Sequence, residues 1–135
     1  YIKDNSDSGQ FKAIQEAASI GISNMDLAKE ISFHYKNRLD KMVKILKSVG
    51  FSAHMPKGTF YLYVKAPAGA NGNRFNNAEE AALYLIENYG ISTVPWDDNG
   101  SFLRFGAVFE SMNDQDDDRV LNILFERLSK ANLTF

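Results

Sequence analysis

The sequence predicts a two-layer α+β domain, in which a small, mostly antiparallel sheet of about four strands is packed by helices. A single apolar stripe at helical spacing over residues 27–49 predicts one long helix. Residues 59–65 and 102–109 are short runs rich in aromatic and β-branched residues, which is typical of strands. These elements follow one another as two helices, two strands, a helix, two strands and a helix. That order favours helices packed on a single sheet.

Composition narrows the class of protein. A length of 135 residues is typical of one domain, spanning 1–135. The net charge of −2 gives no electrostatic reason to expect nucleic acid or a membrane as a partner. The absence of cysteine excludes disulfides and thiol catalysis and agrees with a cytoplasmic location; we also expect no metal site. Because the chain begins at Tyr1 without an initiator methionine, and its first residues look like the inside of a domain, we expect a fragment of a longer polypeptide; no signal peptide is visible.

Two helices are predicted in the first third of the chain. Residues 1–10 are polar, and a helix-capping turn is favoured there over a phosphate-binding loop. A short helix then begins near Phe11 and ends near Gly21. The long helix has Ser23 as its predicted N-cap, in a capping box with Asp26.

The long helix is predicted to end at Gly50, with Phe51 packing back on Leu46 in a Schellman arrangement. Residues 51–54 should form a short strand in an antiparallel hairpin with residues 59–65. Residues 66–77 are predicted to be a loop.

The second half of the sequence is predicted to form a helix from Asn77 to Gly90, then two strands on either side of the turn Asn99-Gly100, and a last helix. The acidic residues that open the last helix indicate a helix start matched to the helix dipole, in preference to a calcium loop.

Arg104 is the one charged residue in the apolar run 102–109. Alternation places it on one face of its strand with Phe102 and Gly106, and no acidic residue lies two positions away on that face. A guanidinium is always charged, so it must reach water or find an anion. Both interpretations stand at this point: an arginine that reaches solvent at a sheet edge, or a fork that binds a carboxylate through two parallel hydrogen bonds.

Three stretches carry a resemblance to a known family: residues 5–15, residues 56–64, and residues 91–98 together with 102–105. In this order and spacing they resemble the C-terminal small domain of pyridoxal-phosphate-dependent class I/II aminotransferases of fold type I. The similarity is to the LL-diaminopimelate and aspartate aminotransferase branch. It implies an enzyme that transfers an amino group between an amino acid and a 2-oxo acid, and that is a homodimer at full length.

The resemblance also implies site residues. Arg104 would bind the substrate α-carboxylate, and Phe60 would lie near the substrate side of the cleft. Asn5 and Gly9 would lie close to an active site, either of their own subunit or of the partner.

The chain departs from the family pattern where the cofactor is held. The family's Schiff-base lysine lies in a serine-rich motif that does not occur here, and Lys3 lacks those neighbours. The residues that anchor the cofactor ring and phosphate have no counterparts either. We therefore expect no catalytic residue in this chain, pyridoxal 5'-phosphate bound only by the full-length parent with its large domain, and an inactive isolated fragment.

Two other functions remain open. A free-standing, non-catalytic amino-acid sensor could use Arg104 as its anion anchor, and an exposed apolar surface could serve only for protein docking. His34 and His54 are interpreted as structural. Trp96 is expected to anchor its loop to the core, with ligand contact as the alternative.

Overall fold

The structure is a computed structural model that describes residues 11–135, except for the side chain of Asp114. It contains two compact units. The first ends at His34, and the second begins at Tyr35. The elements in chain order are α1 (Lys12–Ser23), α2 (Met25–Ser48), β1 (Tyr61–Lys65), β2 (Gly69–Ala70), β3 (Asn73–Arg74), α3 (Ala78–Tyr89), β4 (Val94–Trp96), β5 (Phe102–Gly106), α4 (Asp114–Lys130) and β6 (Leu133–Thr134). No helix within residues 11–135 is both long and apolar enough to cross a membrane.

The first unit contains α1 and the start of α2. No residue of α1 is buried. The capping prediction for α2 was wrong in one residue: Asn24 accepts the hydrogen bond from the Leu27 amide at 3.1 Å. The hydroxyl of Ser23 instead donates to the carbonyl of Ser19 at 2.8 Å, so it is engaged in the preceding helix.

The second unit is built on the later turns of α2. Leu39, Met42 and Leu46 of the predicted stripe are buried there. The Schellman end is confirmed, because the Phe51 amide donates to the Leu46 carbonyl at 2.9 Å and Gly50 has a φ of 103°.

The main sheet has the order β1-β5-β4, with both pairs antiparallel. The predicted hairpin between residues 51–54 and 59–65 was wrong. The Phe51 amide is used by the end of α2, and the Ala53 amide bonds back to the Phe51 carbonyl at 3.0 Å. Those donors are therefore engaged locally, and β1 pairs with the distant strand β5.

A second three-stranded antiparallel sheet has the order β3-β2-β6. Its strands have two residues each, which is too short for any alternation in the sequence, and two of them lie in the predicted loop 66–77. The α+β class is confirmed, with two small sheets where one of about four strands was expected.

The apolar core lies on one face of the main sheet. Leu62, Val64, Leu103 and Phe105 point to that face and belong to one buried cluster with residues of α2, α3 and α4. The predicted limits of α3 are confirmed. The side chain of Asn77 accepts from the Glu80 amide, and Gly90 is left-handed with a φ of 61°.

A buried ion pair joins α2 to α4. Arg38 Nε and Nη2 donate to the two carboxylate oxygens of Asp117 at 2.8 and 2.7 Å. Arg38 also donates to Ser111 Oγ and to the carbonyls of Ala107 and Phe109. Asp117 was interpreted as part of an acidic helix start. The structure shows a buried carboxylate that fixes the segment after β5.

Candidate functional site

Arg104 lies at the middle of the central strand β5, on the sheet face opposite the core. Its register partners are Tyr63 on β1 and Val94 on β4. Because directly opposed residues of an antiparallel pair share a face, Tyr61, Tyr63 and Trp96 lie on the same face as Arg104. This face therefore presents a single guanidinium among aromatic rings.

Two of those rings lie beside the guanidinium. The guanidinium carbon of Arg104 is 4.4 Å from the centroid of the Tyr61 ring. It is 5.9 Å from the centroid of the Trp96 ring, close to the limit at which a cation and a ring attract each other. The rings limit the orientations of a planar group that otherwise rotates freely, and leave its nitrogen edges for hydrogen bonding.

The hydrogen-bonding capacity of Arg104 is not used up by its neighbours. Its Nε is buried and has no hydrogen-bond partner among residues 11–135. None of the ion pairs found within residues 11–135 includes Arg104. A buried donor without an acceptor costs about 1–3 kcal/mol. An anion supplied from outside the described residues would remove that cost.

Asp97 fixes the chain immediately after Trp96. Its Oδ1 accepts from the Ala78 amide and from Ser101 Oγ, both at 2.8 Å, and its Oδ2 accepts from the Glu79 amide at 3.3 Å. The Ala78 amide at the start of α3 is the main cause that lowers the pKa of this carboxyl, and Ser101 and Glu79 act in the same direction. One carboxylate thus joins the end of β4 to the start of β5 and to α3.

The structure gives less information on the other predicted site residues, which are Phe60, Asn5 and Gly9. The Phe60 ring lies next to Tyr61, with 4.3 Å between ring centroids, and Tyr61 is in turn the ring beside Arg104. Its carbonyl accepts from the Ala107 amide at 2.9 Å. Asn5 and Gly9 lie outside the described residues.

The sequence alone does not identify Tyr61 and Trp96 as neighbours of Arg104. Residues 59–65 were predicted to pair with residues 51–54, whereas the strand that carries Tyr61 pairs with β5. Trp96 was expected to anchor its loop to the core. It is instead 42% exposed beside Arg104, while Asp97 supplies the anchor. The register of β1, β4 and β5 brings these residues together, and only pairing information would have predicted it.

All the lysines within residues 11–135 are exposed or only half-buried. No group of three residues able to ligate a metal ion occurs in the same range.

Comparisons with known proteins show similarity to aminotransferases. No family model matches the sequence. The chain is similar to the LL-diaminopimelate aminotransferase of Methanococcus maripaludis, with 47% identity over 99% of this chain and 34% of that protein. The enzyme of the same name from Methanocaldococcus jannaschii is 45% identical over the same shares. This chain therefore spans about a third of the length of the curated relatives it matches.

Solved structures show the same fold. An aminotransferase from Staphylococcus aureus superposes with a TM-score of 0.73 over 97% of this chain and 34% of its own, at 21% identity. The aromatic aminotransferase of Pyrococcus horikoshii superposes with a TM-score of 0.62 over 78% of this chain and 26% of its own, at 17% identity.

Proposed function

We propose that this chain, which belongs to the aminotransferases as a partial domain, is the small domain of an enzyme that moves an amino group from an amino acid to a 2-oxo acid. Support for the assignment comes from relatives that match the whole chain and are about three times as long. The isolated chain is then inactive, because the catalytic lysine and the large domain belong to the longer protein.

The observation that carries the proposed role is the free hydrogen-bonding edge of Arg104. Its Nε is buried without an acceptor among residues 11–135, and the Tyr61 and Trp96 rings lie beside the guanidinium, with their centroids 4.4 and 5.9 Å from its carbon. A carboxylate matches this fork through two parallel charged hydrogen bonds, each worth about 1.5–3 kcal/mol. Arg104 would bind the substrate α-carboxylate and thereby fix the direction of the Cα–H bond. Pyridoxal phosphate, bound by the rest of the enzyme, supplies the electron sink.

The names of the two relatives at 47% and 45% identity favour LL-diaminopimelate as the amino donor. Aspartate and aromatic amino acids are the other candidate donors. The proposed full-length enzyme is a homodimer in the cytoplasm. In it, Phe60 lies near the substrate, and Asn5 and Gly9 lie close to an active site.

The full-length protein that contains this chain tests the proposal. We expect it to bind pyridoxal phosphate and to transfer the amino group of LL-diaminopimelate to a 2-oxo acid, while the 135-residue chain does neither. A reading frame that encodes only these residues would contradict the enzyme and favour an amino-acid sensor. So would a full-length protein that transfers no amino group from any candidate donor.

A further inference from the structure

Strand β4, which carries Trp96, is held weakly by its own backbone. It has three residues and pairs on one side only, with β5. Its middle residue, Pro95, is opposite Leu103, whose backbone groups point towards β1, so only Val94 and Trp96 are placed to form hydrogen bonds with β5. A short edge strand held at two positions is expected to fray. Trp96, at its end and 42% exposed, therefore needs another restraint to stay 5.9 Å from Arg104.

That restraint is the carboxylate of the next residue. Asp97 accepts hydrogen bonds from two amides in the first turn of α3, Ala78 and Glu79, and from the Ser101 hydroxyl just before β5. A carboxylate has two acceptor oxygens and no donor, so it can serve all three donors at once. The positive end of the helix dipole favours its charge. The anchor fixes both ends of the turn that follows Trp96.

We propose that Asp97 is a positioning residue for the carboxylate site: it holds Trp96 beside Arg104 and so raises the affinity for the substrate carboxylate. This rests on the proposed role of Arg104. Asp97 does not touch the guanidinium in any contact found within residues 11–135, so its effect passes through the Trp96 ring.

The structure offers a matched control. Asn77 caps the same helix, accepting from the Glu80 amide at 2.9 Å, but its side chain forms no described bond to the turn after Trp96. Loss of either cap costs about 0.5–2 kcal/mol of helix stability. Only loss of Asp97 also releases Trp96. Comparison of Asp97→Ala with Asn77→Ala therefore separates positioning from stability.

The test uses the full-length enzyme labelled with 5-fluorotryptophan, with the Trp96 resonance assigned from Trp96→Phe. In Asp97→Ala we expect the ¹⁹F resonance of Trp96 to move towards its position in the unfolded protein. We expect the KM for LL-diaminopimelate to rise about 3- to 10-fold with kcat within about twofold, because ring contacts act on binding. In Asn77→Ala the ¹⁹F resonance of Trp96 and the KM should stay at the wild-type values. Asp97→Asn, which keeps one acceptor oxygen, should lie between wild type and Asp97→Ala.

Equal effects of Asp97→Ala and Asn77→Ala on the resonance and on KM would overturn the proposal. If Asp97→Ala does not fold, the resonance of Trp96 and the KM are compared between Asp97→Asn and Asn77→Ala, and equal effects again overturn the proposal. The role of Arg104 is judged separately. If Arg104→Ala leaves KM unchanged, the proposed function fails; if it raises KM while Asp97→Ala does not, only the positioning role of Asp97 fails.

Discussion

Arg104 and Tyr61 stack diagonally across two neighbouring strands, with 4.4 Å between the guanidinium carbon and the centroid of the ring. Tyr61 is paired in register with Gly106, and not with Arg104 itself. A Cβ atom added at Gly106 would lie 3.6 Å from the Tyr61 ring, which is ordinary van der Waals contact, so the ring lies over Gly106 as well as beside the guanidinium.

Replacing Tyr61 tests whether the ring supports substrate binding. In the full-length enzyme, Tyr61→Leu should raise the KM for the amino donor about 3- to 10-fold, since a cation on a ring is worth about 0.5–2 kcal/mol. Tyr61→Phe keeps the ring and should stay within about twofold of wild type. Tyr63→Leu is the control, because Tyr63 stacks on Phe102 on the same face. A rise in KM for Tyr63→Leu equal to that for Tyr61→Leu would contradict a specific role for Tyr61.

Breaking the buried pair between Arg38 and Asp117 should destabilise the domain strongly. Asp117→Asn leaves the Arg38 guanidinium buried without a counter-charge, and such changes cost about 3–5 kcal/mol. Urea unfolding of the purified protein measures the loss. Asp118→Asn is the control, because its pair with Lys41 is partly exposed and contributes about 0–1 kcal/mol. Equal losses for the two variants would contradict the role assigned to the buried pair.

The carboxylate of Asp97 should make stability depend on acid pH. Hydrogen bonds from the Ala78 amide, Ser101 and the Glu79 amide hold its pKa below the usual value in the folded state. A lowered folded pKa contributes stability that is present above the unfolded pKa and lost as the pH falls through the folded one. The stability difference between wild type and Asp97→Asn should therefore shrink as the pH drops below about 4.

Urea unfolding at pH 7, 5 and 3 measures that difference. Asp98→Asn serves as the control, because no hydrogen bond to the Asp98 carboxylate is found within residues 11–135. A gap between wild type and Asp97→Asn that stays constant from pH 7 to pH 3 would refute the anchor.

Helix α1 and its N-cap residue Phe11 expose apolar side chains that a small domain separated from its enzyme would leave uncovered. Phe11 is 71% exposed, and Ile20 and Ile22 are 73% and 80% exposed. We expect the 135-residue chain to self-associate as its concentration rises, because contiguous apolar surface drives association. Sedimentation velocity between low and high micromolar concentration measures this. Ile20→Glu with Ile22→Glu should abolish the association, and a chain that is monomeric throughout would weaken the small-domain proposal.

Local signals in the sequence were sufficient for the helices. Asn77 and Gly90 were predicted as the limits of α3, and the stripe of α2 with its end at Gly50 was also predicted, since caps and 3.6-residue periodicity act over a few positions. Pairing of strands was not predictable in the same way. β1 and β5 are some 40 residues apart, so their contact depends on the whole fold.

In the candidate site, too, some residues could be predicted from the sequence and others could not. Arg104 was identified because a lone charge in an apolar strand is visible in the sequence itself. Tyr61, Trp96 and Asp97 were not, because their relation to Arg104 exists only once three strands and α3 are in register. The buried pair of Arg38 and Asp117 was missed for the same reason, since 79 positions separate the two residues.

The role of Arg104 in carboxylate binding is tested most directly by the kinetics of Arg104 variants of the full-length enzyme. Loss of two charged hydrogen bonds predicts that Arg104→Ala lowers kcat/KM for the amino donor about 10²- to 10⁴-fold. Arg104→Lys should recover only part of this, because an ammonium cannot form the parallel pair. Arg74→Ala, an exposed arginine on β3, should stay within about twofold of wild type. A kcat/KM for Arg104→Ala equal to that of Arg74→Ala would contradict a role for Arg104 in binding the substrate carboxylate.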